Sequence, residues 1–355
     1  MEVRNPPYQD SESVNNRSGA VYNLFYDASR QIATRTLLVT PARFLFNTGL
    51  TPKDWNEKML NDKHFKIIDY IDKSNKVFPN TEIKGGIAIA YIDENSEFEP
   101  IKEFVPDPIL RRIAKRFFGL SENLSKIMFA GRSALKFNDL FLKTYPDVPS
   151  ILLSRIRRKH KNVKKLSPNE EYEIKSSTFD TLPQIFYNEK PSNENSVFEI
   201  IGLEGGKRKI KWIQKDFLTP RYPDNNNIDY YKVFLPESNG NGTFGEPLSS
   251  PFVGIPATSS TPTFQSIGKF GSYEEANNLL KYLNSKFLRT LLGIRKKTQH
   301  NPPSVWELIP LQDFTNNSDI DWSKPISEID QQLYKKYNLS PEEIDFIETH
   351  VKEME

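Results

Sequence analysis

Residues 36–46 read TLLVTPARFLF. Leu37, Leu38 and Val39 lie between two threonines, a short apolar and β-branched run. That is the pattern of a strand covered on both faces, as in a parallel sheet. Pro41 then breaks the run, because proline lacks the N–H a ladder needs. Upstream, residues 18–33 (SGAVYNLFYDASRQIA) place Val21, Leu24, Phe25, Ala28 and Ile32 at helical spacing, with Ser18 where an N-cap belongs. Downstream, the sequence predicts a helix around 52–62, a strand at 65–71 (FKIIDYI) and a longer strand at 84–93 (KGGIAIAYID) introduced by two glycines. Strands and helices alternating at this spacing indicate an α/β sheet.

The pattern changes after about residue 100. Residues 106–117 (PDPILRRIAKRF) and 133–145 (SALKFNDLFLKTY) read as helices. Between 170 and 235, short alternating runs separated by Gly, Asn and Pro predict a β-rich second domain. Residues 238–262 read as a long loop rich in Gly, Ser, Pro and Thr. A helix follows over 272–294, where Ser272 and Glu275 form a capping box. The tail at 327–352 carries one more acidic helix, capped by Ser340 with Pro341 in its first turn.

A chain of 355 residues is long enough for two domains. It contains no cysteine, which excludes disulfides and thiolate metal sites. Its four histidines stand far apart, without ligand spacing, so no metal is expected. No apolar run is long enough to span a bilayer and no basic-then-apolar leader is present, so the expected address is cytoplasmic. A net charge of +2 does not itself announce nucleic acid, so the distribution of charge must decide.

The tetrapeptide Asn5-Pro6-Pro7-Tyr8 carries definite chemistry. It should arise by chance only about once in 10⁵ to 10⁶ positions. Any Pro-Pro can make a rigid surface turn. An exocyclic amino group on a base is a poor nucleophile, because its lone pair is delocalised into the ring. Two acceptors aimed at its hydrogens pull the nitrogen toward a tetrahedral geometry. The Asn5 side-chain oxygen and the Pro6 carbonyl can be those acceptors. Pro6 and Pro7 fix the backbone and bring no competing donor. Tyr8 offers a flat face on which an extruded base can stack.

The chain resembles the TaqI-like and type ISP-like adenine-N6 DNA methyltransferases of bacterial restriction–modification systems. The likeness runs through NPPYQ, AVYNLFYDASRQIA, LLVTPARFLF, VFPNTEIKGGIAIAYID, KFLRTLLGIRKKTQHNPPSVWELIPLQDF and LYKKYNLSPEEIDFIE. It implies a partial, Rossmann-like α/β methyltransferase sheet followed by an α+β target-recognition domain. The implied divisions are 1–104 for the catalytic part, 105–315 for target recognition and 316–355 for a helical tail. It implies that Asn5, Pro6 and Tyr8 hold the target adenine, that Phe78 packs on the other face of the flipped base, and that Phe25 sits near the adenine of S-adenosylmethionine. In this family a glycine-rich cofactor loop lies well before the tetrapeptide, and only MEVR precedes it here. FVGIPATSS and GKFGSYEE are the alternative glycine stretches, and neither is expected to join a strand to a helix. The chain is therefore expected to begin in mid-domain, as a fragment, a truncated product or one piece of a split enzyme. A second chain would then carry the cofactor-binding half.

Double-stranded DNA is the expected partner. Three basic runs would face it. The first, 155–165, holds Arg155, Arg157, Arg158, Lys159 and Lys161. The second, 205–215, holds Lys207, Arg208, Lys209 and Lys211, and the third holds Arg295, Lys296 and Lys297. A solvated charged face is the plain alternative for any single run. Asp147, Glu173 and Lys175 imitate a metal-dependent nuclease only loosely. Two functions follow: part of an adenine-N6 DNA methyltransferase, or a catalytically incomplete target-recognition module that only binds DNA.

Overall fold

The computed structural model describes residues 2–8, 20–47, 50–79, 83, 85–193, 196–296 and 298–354. Ser18 and Lys297, and the side chain of Lys159, lie outside what is described. The chain divides into two units, Met1–Arg112 and Ile113–Glu355.

The first unit contains β1 (Glu2–Arg4), α1 (Tyr22–Ile32), β2 (Arg35–Pro41), α2 (Lys53–Leu60), β3 (Phe65–Ile71) and β4 (Ile87–Asp93). The unit boundary falls within α3 (Pro108–Lys115). The sheet order is β1-β2-β4-β3. β1 runs parallel to β2, with Val3 opposite Leu37. β2 and β3 both run antiparallel to β4. The TLLVT strand is thus parallel to one neighbour only, and the sheet is mixed. Gly86 is required at the turn into β4. It adopts φ 78°, and a Cβ there would stand 2.5 Å from the Ile71 carbonyl oxygen.

Helix α1 turns a different face inward from the one its aliphatic spacing predicts. Tyr22, Asn23, Tyr26 and Ser29 are buried. Leu24, Phe25 and Ile32 are exposed, the last at 70%. The reason is aromatic. The Tyr26 ring packs on Trp55, Phe44 and Phe65 at centroid distances of 5.5, 5.7 and 6.1 Å. Its hydroxyl meets Thr40 Oγ1 at 2.8 Å, so the buried phenol keeps a hydrogen-bond partner. Two helical stripes compete on this helix, and the tyrosine stripe makes the core.

The second unit opens with β5 (Met128–Phe129), β6 (Leu135–Phe137), α4 (Asp139–Thr144), α5 (Val148–Lys159) and α6 (Thr178–Thr181). The hairpin β7 (Val197–Glu204) and β8 (Lys207–Gln214) turns on Gly205 and Gly206, both at positive φ, as a two-residue hairpin loop requires. Then come β9 (Leu218–Pro220), β10 (Tyr231–Pro236), β11 (Phe252–Gly254), β12 (Thr258–Ser260) and β13 (Phe264–Phe270). The helices α7 (Tyr273–Asn284), α8 (Lys286–Arg295), α9 (Ile326–Lys336) and α10 (Pro341–His350) complete it. The strands form three small sheets, ordered β11-β10-β13-β5, β12-β7-β8 and β6-β9.

Several expectations change here. The 133–145 stretch is strand β6 followed by α4, separated where Asn138 caps the helix through the Phe141 N–H. The 238–262 loop contains β11 and β12. The 272–294 helix is two helices, because Ser285 leaves helical geometry and caps α8 through the Leu288 N–H. Asp330 of α9 accepts the Lys286 and Phe287 N–H groups at 3.0 and 2.8 Å, covering that same helix start. The tail carries α9 as well as the predicted α10, whose capping box of Ser340 and Glu343 is present.

Candidate functional site

The tetrapeptide Asn5–Tyr8 leaves the carboxyl end of β1, the end at which parallel strands present ligand-binding loops. Pro6 is buried, Tyr8 is half-buried, and Asn5 and Pro7 are exposed. The Tyr8 carbonyl accepts the Val21 N–H at 3.4 Å, which ties the motif to the start of α1. The Tyr8 hydroxyl donates to Asn5 Oδ1 at 2.7 Å. Burial pushes the Tyr8 phenol above the usual tyrosine range, so it stays a neutral donor at physiological pH. An amide oxygen has two lone pairs, so Asn5 can accept from Tyr8 and still accept from a second donor.

Phe78 stands beside this motif. The Tyr8 and Phe78 ring centroids are 6.4 Å apart, edge to face at 68°. The Phe78 loop is held by Ser74, whose carbonyl accepts the Phe78 N–H at 2.8 Å and whose hydroxyl accepts the Ile83 N–H at 2.7 Å. The fold therefore brings Phe78 edge to face against Tyr8, which the sequence separates widely from it, while the Tyr8 hydroxyl holds the Asn5 amide oxygen. Phe25 lies on the exposed face of α1, and no ring contact joins it to Tyr8 or Phe78 among the described residues.

The basic runs divide into engaged and open cations. Arg155 donates to Thr181 Oγ1, and Arg157 donates to the carbonyls of Val163 and Lys164 at 2.8 and 2.9 Å. The Arg208 guanidinium lies 4.6 Å from the Phe252 ring centroid and donates to the Ser250 carbonyl. Lys211 is buried against Glu204, and Lys296 is buried against Glu246 and the Asn239 carbonyl. Arg295 pairs with Glu307 at 2.6 Å. Arg158, Lys161, Lys207 and Lys209 are exposed.

Two of the nuclease-like residues, Glu173 and Lys175, are held in structural pairs. Arg221 grips Glu173 with two bonds of 3.0 and 2.6 Å, and Lys175 pairs with Glu170. Among the described residues, no group of three or more His, Asp or Glu side chains could hold a metal ion, and no helix is long and apolar enough to cross a membrane.

GKFGSYEE does join a strand to a helix, β13 to α7, which corrects the expectation that it would not. It still does not suit a cofactor loop. Its first helical turn carries Glu274 and Glu275, and the Ser272 hydroxyl is taken up with Glu275. The space beside Gly268 is filled by the Phe270 ring, so a cofactor cannot approach the backbone there.

Residues 3–78 match the model of the Eco57I restriction-modification methylase family. The matched span contains both the tetrapeptide and Phe78. No curated protein matches the chain.

Proposed function

We propose that this chain holds and presents the target adenine in a restriction–modification adenine-N6 DNA methyltransferase. The observation that carries this reading is the convergence of Asn5, Tyr8 and Phe78 within the methylase-like span. An adenine extruded from duplex DNA would stack on the Tyr8 face and take the place of the edge-to-face contact that Phe78 now makes there. Asn5 Oδ1 and the Pro6 carbonyl would then accept the two amino hydrogens and make the nitrogen lone pair available. Tyr8, through its bond to Asn5, fixes which way the amide oxygen points. By the family likeness the methyl donor is S-adenosylmethionine, and Phe25 is proposed to lie near its adenine.

The cofactor-binding half is proposed to come from an α/β segment of a second polypeptide. β1 is an edge strand of its sheet, and a parallel edge invites another parallel strand. Val3 on that strand is 59% exposed, and Leu24, Phe25 and Ile32 present an apolar stripe on α1. The second unit is proposed as the DNA target-recognition domain. A binding-only module is the second reading, and the poor fit of GKFGSYEE to a cofactor favours it for this polypeptide by itself.

Asn5→Ala tests the assignment. In the complemented enzyme it should abolish methyl transfer and leave DNA affinity nearly unchanged, because Asn5 acts on the amino group and not on phosphates. Transfer that survives in the variant would refute the role.

A further inference from the structure

The two-stranded ribbon of β6 and β9 borders a cleft of 570 Å³ in the second unit. Leu135 and Phe137 turn into the core, so strand alternation turns Lys136 outward. Arg132 stands in the loop just before β6, and Arg221 follows β9 directly, its N–H donating to the Ala134 carbonyl at 2.7 Å. All three cations line the cleft, with Glu173, Asp139 and Tyr172.

The two carboxylates are already engaged. Glu173 takes both ends of the nearly buried Arg221 guanidinium, and Asp139 accepts the Tyr172 hydroxyl at 2.8 Å. Arg132 reaches Glu173 only at 3.8 Å and is 65% exposed. Lys136 has no hydrogen-bond or ion-pair partner among the described residues. The cleft thus offers two cations with free donors, beside a Glu173 that Arg221 neutralises and an Asp139 carboxylate that keeps its charge. A forked guanidinium beside a point-like ammonium matches the oxygens of a phosphate. Phe137 is buried in the core, and a mononucleotide offers these two cations a single phosphate, whereas a duplex offers each its own.

We propose that Arg132 and Lys136, beside the β6–β9 ribbon, bind the phosphate backbone of duplex DNA. This rests on the reading above that the second unit binds DNA. Both side chains stand outside the core, so Arg132→Ala with Lys136→Ala should leave the melting temperature unchanged, and Lys136→Glu serves as a second variant.

The test is a binding titration of the whole chain with duplex DNA at several salt concentrations. If both residues touch phosphate, the double variant should lower the salt slope by up to about 1.8 and weaken binding by up to about thirtyfold at 0.15 M salt. Lys136→Glu should change both quantities in the same direction. Deoxyadenosine monophosphate, titrated alongside, should bind far more weakly than the duplex. If the unaltered chain binds DNA and both variants keep its slope, the cleft inference falls and the DNA reading stands. If the unaltered chain binds no DNA, both fall. If only the mononucleotide binding depends on these residues, the ligand is a free nucleotide and the inference is overturned.

Discussion

The Tyr8 hydroxyl donates to Asn5 Oδ1 at 2.7 Å, and this bond decides which way the amide oxygen faces. Tyr8→Phe keeps the ring and removes that restraint. A single hydrogen bond is worth about 1 kcal/mol, so methyl transfer should fall roughly five- to tenfold while the stacking face survives. A rate unchanged in single-turnover assays would mean that the amide is oriented by something else. The tetrapeptide was legible because its chemistry is local: an amide, two rigid backbones and a ring in four consecutive residues. The proximity of Phe78 was legible only through resemblance, since no spacing rule brings together residues so far apart in sequence. The fate of the basic side chains was not legible at all. Lys211 and Lys296 are buried because Glu204 and Glu246 meet them, and those pairings depend on the folded chain. Arg132 and Lys136 went unnoticed because neither stands in a charge run.

Helix α1 shows where periodicity fails. Both of its stripes recur at helical spacing, and the aliphatic one scores as the more hydrophobic. The core prefers Tyr22 and Tyr26 because Phe44, Trp55 and Phe65 form an aromatic bed that the sequence scatters over three elements. If the outer stripe meets a cofactor-binding half, Leu24→Lys with Ile32→Lys should cost the isolated chain no more than about 0.5 kcal/mol per site, as for exposed positions. The same pair should disrupt association and methyl transfer in the complemented enzyme. Full activity of the variant would show that the stripe is ordinary surface. The start of α8 makes a second prediction at this scale. Burial raises the Asp330 carboxyl to about 6, against the pull of the Phe287 and Lys286 N–H groups. Its unfolded value is roughly 4. A folded value above the unfolded one gives stability that is full below about pH 4 and is lost as pH rises through 6. Thermal unfolding between pH 4 and 7 should therefore carry a downward contribution with rising pH that Asp330→Asn removes. An identical pH profile in the variant would mean that Asp330 does not titrate there.

At the scale of the whole molecule, the first unit presents the Asn5–Tyr8 motif at the end of an edge strand, and the second presents a β-rich body with a cationic cleft. β2 and β4 were readable because each is an apolar run with Pro41 or Gly86 at one end, and β3 because its aromatic and β-branched residues favour a strand. The second unit's helices α7 and α10 were readable from their caps, Ser272 and Ser340, and its strands only as a β-rich stretch. Its short strands β11 and β12 exist through pairing with β10 and β7, which local composition does not encode. The central claim is that Asn5 holds the amino group of a target adenine. The most direct measurement is N6-methyladenine in the DNA of a host otherwise free of adenine methylation, with the chain expressed alongside its neighbouring genes. N6-methyladenine should accumulate with the unaltered chain and be absent with Asn5→Ala at equal protein level. Equal adenine methylation with Asn5→Ala, or methylation only of another base, would contradict it.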